Sequence, residues 1–163
     1  MVVSDFLRWV DTARVSERAA AAAALARAYL SNEISFEDRC AAEAALTLLL
    51  DDPSWKVRFA LAETLSLSRH APAQVISALA ADQPDVATLV LARSPVLTDT
   101  DLIDRVASGD EKVQTAIAMR PAVSMAVAAA LAEVGTAEAC RQLLLNDGAR
   151  IAGLSYRRMA ERH

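Results

Sequence analysis

The chain has 163 residues, carries 17 basic and 21 acidic side chains for a net charge of −4, and is 54% apolar but only 4% aromatic. This length suffices for one ordinary domain with a hydrophobic core, and the acidic balance argues against a nucleic-acid partner, which needs a basic face. Four glycines and five prolines are too few for the many turns of an all-β protein, so we expect an all-α fold.

The first 45 residues predict three helices. In the first, apolar residues follow one another at i, i+3, i+4 and i+7 from Val3, which is the spacing of one face of an amphipathic helix. Ser16 is predicted to cap the second helix, and Ser35, with Asp38 three residues later, the third. We interpret residues 1–45 as N-terminal capping helices.

After residue 46, one apolar stripe appears three times at intervals of 27 residues. Its copies are Val86, Leu89 and Val90; Val113, Ala116 and Ile117; and Cys140, Leu143 and Leu144. Thr136 would cap the helix of the third copy. A unit of two short helices cannot bury its apolar face alone, whereas stacked units share a continuous core. The sequence therefore predicts a single helical-repeat domain over 1–163, with residues 46–162 as its repeat units.

Several motifs resemble known helical repeats. The segment DDPSWKVRFALAETL (51–65) resembles the second helix of a HEAT repeat, and the 27-residue interval is closer to that of the leucine-rich repeat variant. Residues 46–162 are similar to a bacterial domain-of-unknown-function family, number 2336, through LAADQPDVATLVLARSPVLTDTDLID, AIAMRPAVS and LLLNDGARI in that order. The resemblance implies a HEAT-like α–α superhelix, or solenoid, of short antiparallel helix pairs, and implies no catalytic residues.

The residues that usually carry chemistry do not cluster in the sequence. The chain has two histidines, and its four glycines form no phosphate-binding loop. Asp99, Asp101 and Asp104 could bind a hard cation, but we interpret them as favourable charges in the first turn of a helix capped by Thr98 or Asp99. We expect no catalytic residue, no metal and no cofactor, and the absence of an acid beside an aromatic pocket argues against a glycosylase.

Arg93 and Arg120 occupy equivalent positions at the ends of two second helices. One interpretation is structural, because an arginine there can bond the last carbonyls of a helix. The other is functional, because a row of guanidinium groups could clamp an acidic peptide or a phosphate. Asn146, followed by Gly148, is predicted to stop a helix by adopting the left-handed conformation.

In a HEAT-like stack, the second helices line the concave face. Its outward positions predict a partner-binding groove formed by Phe59, Glu63, Thr88, Arg93, Thr115, Met119 and Arg120. Small residues with Phe59 and Met119 as apolar contacts suit a peptide or a helix. The alternative is that Phe59 and Met119 pack into neighbouring helices.

These observations favour a non-catalytic protein–protein interaction scaffold or regulatory module, and not an enzyme. We expect a cytoplasmic protein whose partner is another protein or a peptide, with no membrane partner. A homodimer is possible because the ends of a helix stack expose apolar surface. Nucleic-acid binding through the repeat arginines and the basic C-terminal helix is the alternative, since residues 150–163 carry a net charge of +3.

Overall fold

The computed structural model describes residues 2–31 and 33–163, without the side chains of residues 2–4 and 7. Val3 and Leu7, two positions of the predicted first stripe, therefore lie outside the described side chains. Within the described residues the chain forms eleven α-helices and no β-strand, which confirms the all-α fold class. The helices are α1 (Val2–Thr12), α2 (Val15–Leu30), α3 (Phe36–Leu49), α4 (Trp55–Leu65), α5 (Ala73–Ala80), α6 (Pro84–Arg93), α7 (Asp99–Ser108), α8 (Glu111–Ala118), α9 (Met125–Val134), α10 (Ala137–Leu144) and α11 (Gly153–Arg162).

Short polar side chains set the beginning of several helices. The hydroxyls of Ser35, Thr98 and Thr136 each accept a hydrogen bond from the backbone N–H three residues later, at 3.1, 3.3 and 3.3 Å. Such caps satisfy N–H groups that have no partner within the helix. All three were predicted, whereas the prediction for Ser16 is wrong. Helix α2 begins at Val15, because the Glu17 carboxylate accepts the N–H of the N-cap residue Arg14 at 2.9 Å.

The connection after α10 differs from the predicted left-handed stop. Helix α10 does end at Leu144, but no residue described by the structure has a positive φ. Instead, the Asn146 amide donates hydrogen bonds to the carbonyls of Ala118 and Arg120 at 2.7 and 2.8 Å. The chain after Asn146 runs so close to the preceding connection that a Cβ on Gly148 would collide with the Pro121 carbonyl oxygen. Close packing, not positive φ, therefore requires the glycine.

The even-numbered helices form one layer in chain order. Helix α4 packs between α2 and α6, and α8 packs between α6 and α10. Helices α7, α9 and α11 pack successively in a second layer, and the pairs α5/α6, α7/α8 and α9/α10 join the layers. A continuous cluster of buried apolar side chains, mostly alanine, leucine and valine, runs from Ala22 to Met159. Small side chains allow these short helices to approach closely along the whole stack.

The repeated stripes lie in this core, with one departure. Val86, Val90 and Ile117 are fully buried, as their predicted register requires. Leu144 occupies the position equivalent to Val90 and Ile117, yet 50% of it is exposed. Helix α8 packs against α6 and α10 against α8, but among the described helices no further even-numbered helix follows α10.

Polar side chains also link successive helices of the even-numbered layer. Arg18 on α2 donates from Nε and Nη2 to both carboxylate oxygens of Asp52, at 2.7 and 3.1 Å, just before α4. Arg58 on α4 binds Asp82 before α6 in the same way, at 2.5 and 3.0 Å, and donates to the Asp52 carbonyl at 2.5 Å. These bidentate pairs fix the spacing between neighbouring helices.

Gln114 on α8 makes the corresponding link without charge. Its Nε2 donates to the Val106 carbonyl at 2.9 Å, and its Oε1 accepts the N–H of Thr136, just before α10, at 2.9 Å. Only 5% of Gln114 is exposed. The amide therefore connects α7, α8 and the start of α10 inside the protein.

Candidate partner-binding face

The seven residues predicted to form the groove lie along one side of three successive helices. Phe59 and Glu63 belong to α4, Thr88 and Arg93 to α6 and Thr115 to α8, while Met119 and Arg120 directly follow α8. Because α6 packs against both α4 and α8, these positions share one continuous face. Their side chains nevertheless have different environments.

The two apolar residues of the face, Met119 and Phe59, are not equivalent. Met119 is 59% exposed. Phe59 is partly buried, packs against the core and meets Trp55 edge to face, with ring centroids 6.1 Å apart. Met119 therefore offers an accessible apolar surface, whereas most of Phe59 already contacts neighbouring residues of this chain.

An open groove of about 410 Å³ lies beside Met119, between α6, α8 and α10. It brings together three of the seven predicted residues and four that sequence analysis did not name. Its lining residues are Thr88, Glu111, Lys112, Thr115, Ala116, Met119 and Glu138. We call this surface the Met119 groove. Glu111 and Glu138 lie 27 residues apart, so extending the predicted repeat to acidic positions would have found both.

The rim of the Met119 groove carries two carboxylates and one ammonium group. Glu138 binds Arg141 through two hydrogen bonds of 3.0 and 3.2 Å. The hydrogen bonds from Arg141 and then Gln142 lower the pKa of the Glu138 carboxyl. Glu138 is therefore ionised at neutral pH, and Arg141 offsets part of its charge.

Arg93 turns towards the preceding helix of its own layer. Its Nε donates to the Ser66 hydroxyl at 2.8 Å and its Nη2 to the Glu63 carbonyl at 3.4 Å. Both acceptors lie at the C-terminal end of α4, where helical carbonyls have no partner within the helix. Arg93 thus holds the end of α4 from the end of α6.

Arg120 makes the same connection one unit later. Its Nη1 donates to the Leu91 carbonyl at 2.5 Å and its Nη2 to the Ser94 carbonyl at 2.7 Å, at the end of α6. Burial lowers the pKa of Arg120, and the nearby Asp99 carboxylate opposes this shift in part. An arginine stays charged despite such a shift, so these are charge-assisted hydrogen bonds in a partly buried site.

Asn146 and Arg162 extend this set of links to the ends of other helices. Asn146 binds the carbonyls that end α8, as described above, and Arg162 donates to the carbonyls of Ala132 and Gly135 at 2.8 and 3.0 Å, at the end of α9. These contacts of Arg93, Arg120 and Arg162 are those that the structural interpretation of the arginines requires. Sequence analysis missed Arg162, because it lies outside the 27-residue stripe.

The aspartates near residue 100 belong to a helix start. The Asp101 carboxylate accepts hydrogen bonds from the backbone N–H and the hydroxyl of Thr98, at 2.8 and 2.7 Å. This reciprocal pairing is a capping box, as the interpretation of these aspartates predicts. Across residues 2–31 and 33–163, no three histidine, cysteine or acidic side chains lie close enough together to hold a metal ion. No helix in the same ranges has the length and apolarity needed to cross a membrane.

Fold and face together define an all-α protein of short stacked helices with an open groove on one layer. The chain belongs, through residues 86–163, to a family described as "Uncharacterised protein conserved in bacteria (DUF2336)". This confirms the family that the three motifs indicated. The match begins at Val86, so it does not include residues 46–85, which the sequence resemblance had covered. Neither the curated proteins nor the solved structures contain a match to the chain.

Proposed function

We propose that this protein is a non-catalytic protein–protein interaction module, a scaffold or a regulator, that binds a segment of another protein in the Met119 groove. The observation that carries this proposal is the exposed Met119 beside an open groove shared by three successive helices of one layer. The successive packing of α2, α4, α6, α8 and α10 supports a HEAT-like superhelix as the architecture.

The groove chemistry indicates which partner segment would bind. Ala116, Thr115 and Thr88 give a surface of small side chains, and Met119 is a flexible apolar contact that adapts to different partners. A peptide or helix with an apolar anchor fits such a surface. Glu111 adds a carboxylate at the rim, which favours a basic residue next to that anchor.

The remaining predicted residues have other roles in this proposal. Phe59 and Glu63 extend the face towards α4, where a longer partner segment would continue. Arg93 and Arg120 hold the helix ends on which the groove depends, so we assign the electrostatic contact to the groove carboxylates rather than to a guanidinium clamp. We place the interaction in the cytoplasm, which is compatible with the free thiols of Cys40 and Cys140.

The test compares two exposed apolar residues changed to aspartate. Affinity-tagged wild type, Met119→Asp and Leu67→Asp are incubated with a lysate of the native bacterium, and retained proteins are quantified. Leu67 is 67% exposed and does not line the Met119 groove, so it is the matched control. We expect one partner to be retained by the wild type and by Leu67→Asp and lost from Met119→Asp.

Charge reversal at Glu111 gives a second measurement with the purified partner. If a basic residue of the partner lies at the rim, Glu111→Lys raises Kd by about tenfold, equivalent to about 1.4 kcal/mol. A partner bound equally by the wild type and Met119→Asp, with both folded by circular dichroism, would reject the Met119 groove as the binding site.

A further inference from the structure

A second apolar groove lies at the end of the helix stack, on the face formed by α10 and α11. It has a volume of about 430 Å³, and its lining includes Ala137, Cys140, Leu144, Tyr156, Met159 and His163. We call it the end groove. Leu144 and Tyr156 are 50% and 52% exposed, so two large apolar side chains are half uncovered at one place.

The end groove continues an interface that is already present inside the protein. Val90 on α6 and Ile117 on α8 are equivalent to Leu144, and both are fully buried in the layer where α8 packs against α6 and α10 against α8. In each internal case the next helix of the layer packs on this side. Leu144 therefore belongs to a surface whose chemistry suits a packed helix, and no described helix of this chain packs there.

The charges around the end groove select the type of helix. Arg141 lines the groove. Arg157 directly follows Tyr156 on α11, is exposed and forms no ion pair within the described residues. On a helix, a residue one position after the groove-lining residue flanks that face. Residues 150–163 carry a net charge of +3, so an approaching helix meets a basic rim.

We propose that the end groove docks an amphipathic α-helix of a partner protein, with acidic side chains beside its apolar stripe. Charge complementarity favours this occupant over a second copy of the chain. Two copies joined by their end grooves would bring Arg141 and Arg157 of each copy together, and like charges repel. The end groove is separate from the Met119 groove, so this proposal goes beyond the proposed function and does not depend on it.

The test uses two synthetic helical peptides of about 18 residues, or five turns. Both have the same leucine and alanine stripe, flanked by glutamates in one peptide and by lysines in the other. Fluorescence anisotropy with the full chain is expected to show binding of the glutamate peptide and at least about tenfold weaker binding of the lysine peptide. Arg157→Glu is expected to narrow or reverse this preference.

Two further variants locate the binding site. Leu144→Asp is expected to weaken binding of the glutamate peptide by at least about tenfold, equivalent to about 1.4 kcal/mol, whereas Met119→Asp leaves it unchanged. Leu144 is half exposed, so the aspartate variant should keep the fold, which circular dichroism checks. Leu144→Ser serves as a milder replacement if it does not.

Several outcomes would overturn the proposal. Equal binding of the two peptides, or binding that Leu144→Asp and Leu144→Ser leave unchanged, would contradict it. A concentration-dependent dimer in light scattering that Leu144→Asp abolishes would assign the end groove to a second copy. Duplex DNA that binds in place of the glutamate peptide and depends on Arg157 would assign the basic rim to nucleic acid. Loss of binding with Met119→Asp alone would move the site to the Met119 groove.

Discussion

Arg120 joins two successive helices through a single side chain. Its two terminal nitrogens satisfy the carbonyls of Leu91 and Ser94 at the end of α6. Its position at a helix end was evident from the sequence, but the direction of its guanidinium group was not. The acceptors belong to a helix one repeat earlier, and nothing in the local sequence identifies them. The two interpretations of Arg93 and Arg120 could therefore be compared only with the structure.

Removal of the Arg120 guanidinium should measurably destabilise the protein. In Arg120→Leu, the carbonyls of Leu91 and Ser94 lose their donors, and we expect the free energy of unfolding to fall by about 1–3 kcal/mol. Arg120→Lys should be intermediate, because one ammonium group cannot reproduce the planar two-point contact. Urea unfolding followed by circular dichroism measures both. A leucine variant as stable as the wild type would show that these hydrogen bonds contribute nothing.

At the scale of single helices, local sequence signals predicted what local contacts determine. Ser35, Thr98 and Thr136 bond an N–H three residues away, so the sequence alone identifies their caps. Ser16 misled because two capping signals overlap, and the Glu17 carboxylate bonds the Arg14 N–H instead. Links between helices, such as that of Gln114, were not predicted, because their partners are distant in sequence.

Gln114 provides a test of one such link. In Gln114→Glu, the new carboxylate cannot donate to the Val106 carbonyl, and burial raises its pKa. A carboxyl with a higher pKa in the folded chain is not penalised below its unfolded pKa of about 4.3. The penalty grows as pH rises from there towards the folded pKa. We expect the variant to lose stability relative to the wild type between about pH 4 and pH 7.

Thermal unfolding of Gln114→Glu and Gln114→Leu across this pH range makes the comparison. The leucine variant also loses the link but cannot ionise, so its deficit relative to the wild type should not change with pH. Parallel deficits for the two variants would mean that the introduced carboxyl reaches water.

At the scale of the whole molecule, the 27-residue interval predicted the order of packing in the even-numbered layer. It works because each unit buries the same stripe against the next one, as the buried Val86, Val113 and Ile117 show. The candidate face was predicted only in part. Met119, Thr88 and Thr115 line one groove, while Phe59 packs against the core, because the stripe identifies which positions point outwards but not how closely the helices approach.

The ion pairs that link the first three helices of this layer should make the fold sensitive to acid. Burial alone would raise the pKa of Asp52, but hydrogen bonds from Arg18 and Ser54 and the charges of Arg18 and Arg58 outweigh it, so the pKa lies below its ordinary value. Such a carboxyl stabilises the fold above its unfolded pKa of about 3.9. This stabilisation is lost as pH falls through the folded pKa.

The variant Asp52→Asn separates this contribution from others. It should be less stable than the wild type at pH 7, and the difference should shrink below about pH 4, where the wild-type carboxyl becomes protonated. Urea unfolding at pH 7, 5, 4 and 3 measures both proteins. A constant difference across this range would exclude Asp52 as a source of the acid sensitivity.

The side chains that hold helix ends reach back by 26 to 30 residues, about one repeat, and no further. Each joint is therefore complete once two adjacent units are present. A gene segment encoding one whole unit could be duplicated or deleted in frame while every other joint kept its partners. Chain length in such a protein can change in steps of one unit, and the grooves between units would multiply or disappear with it.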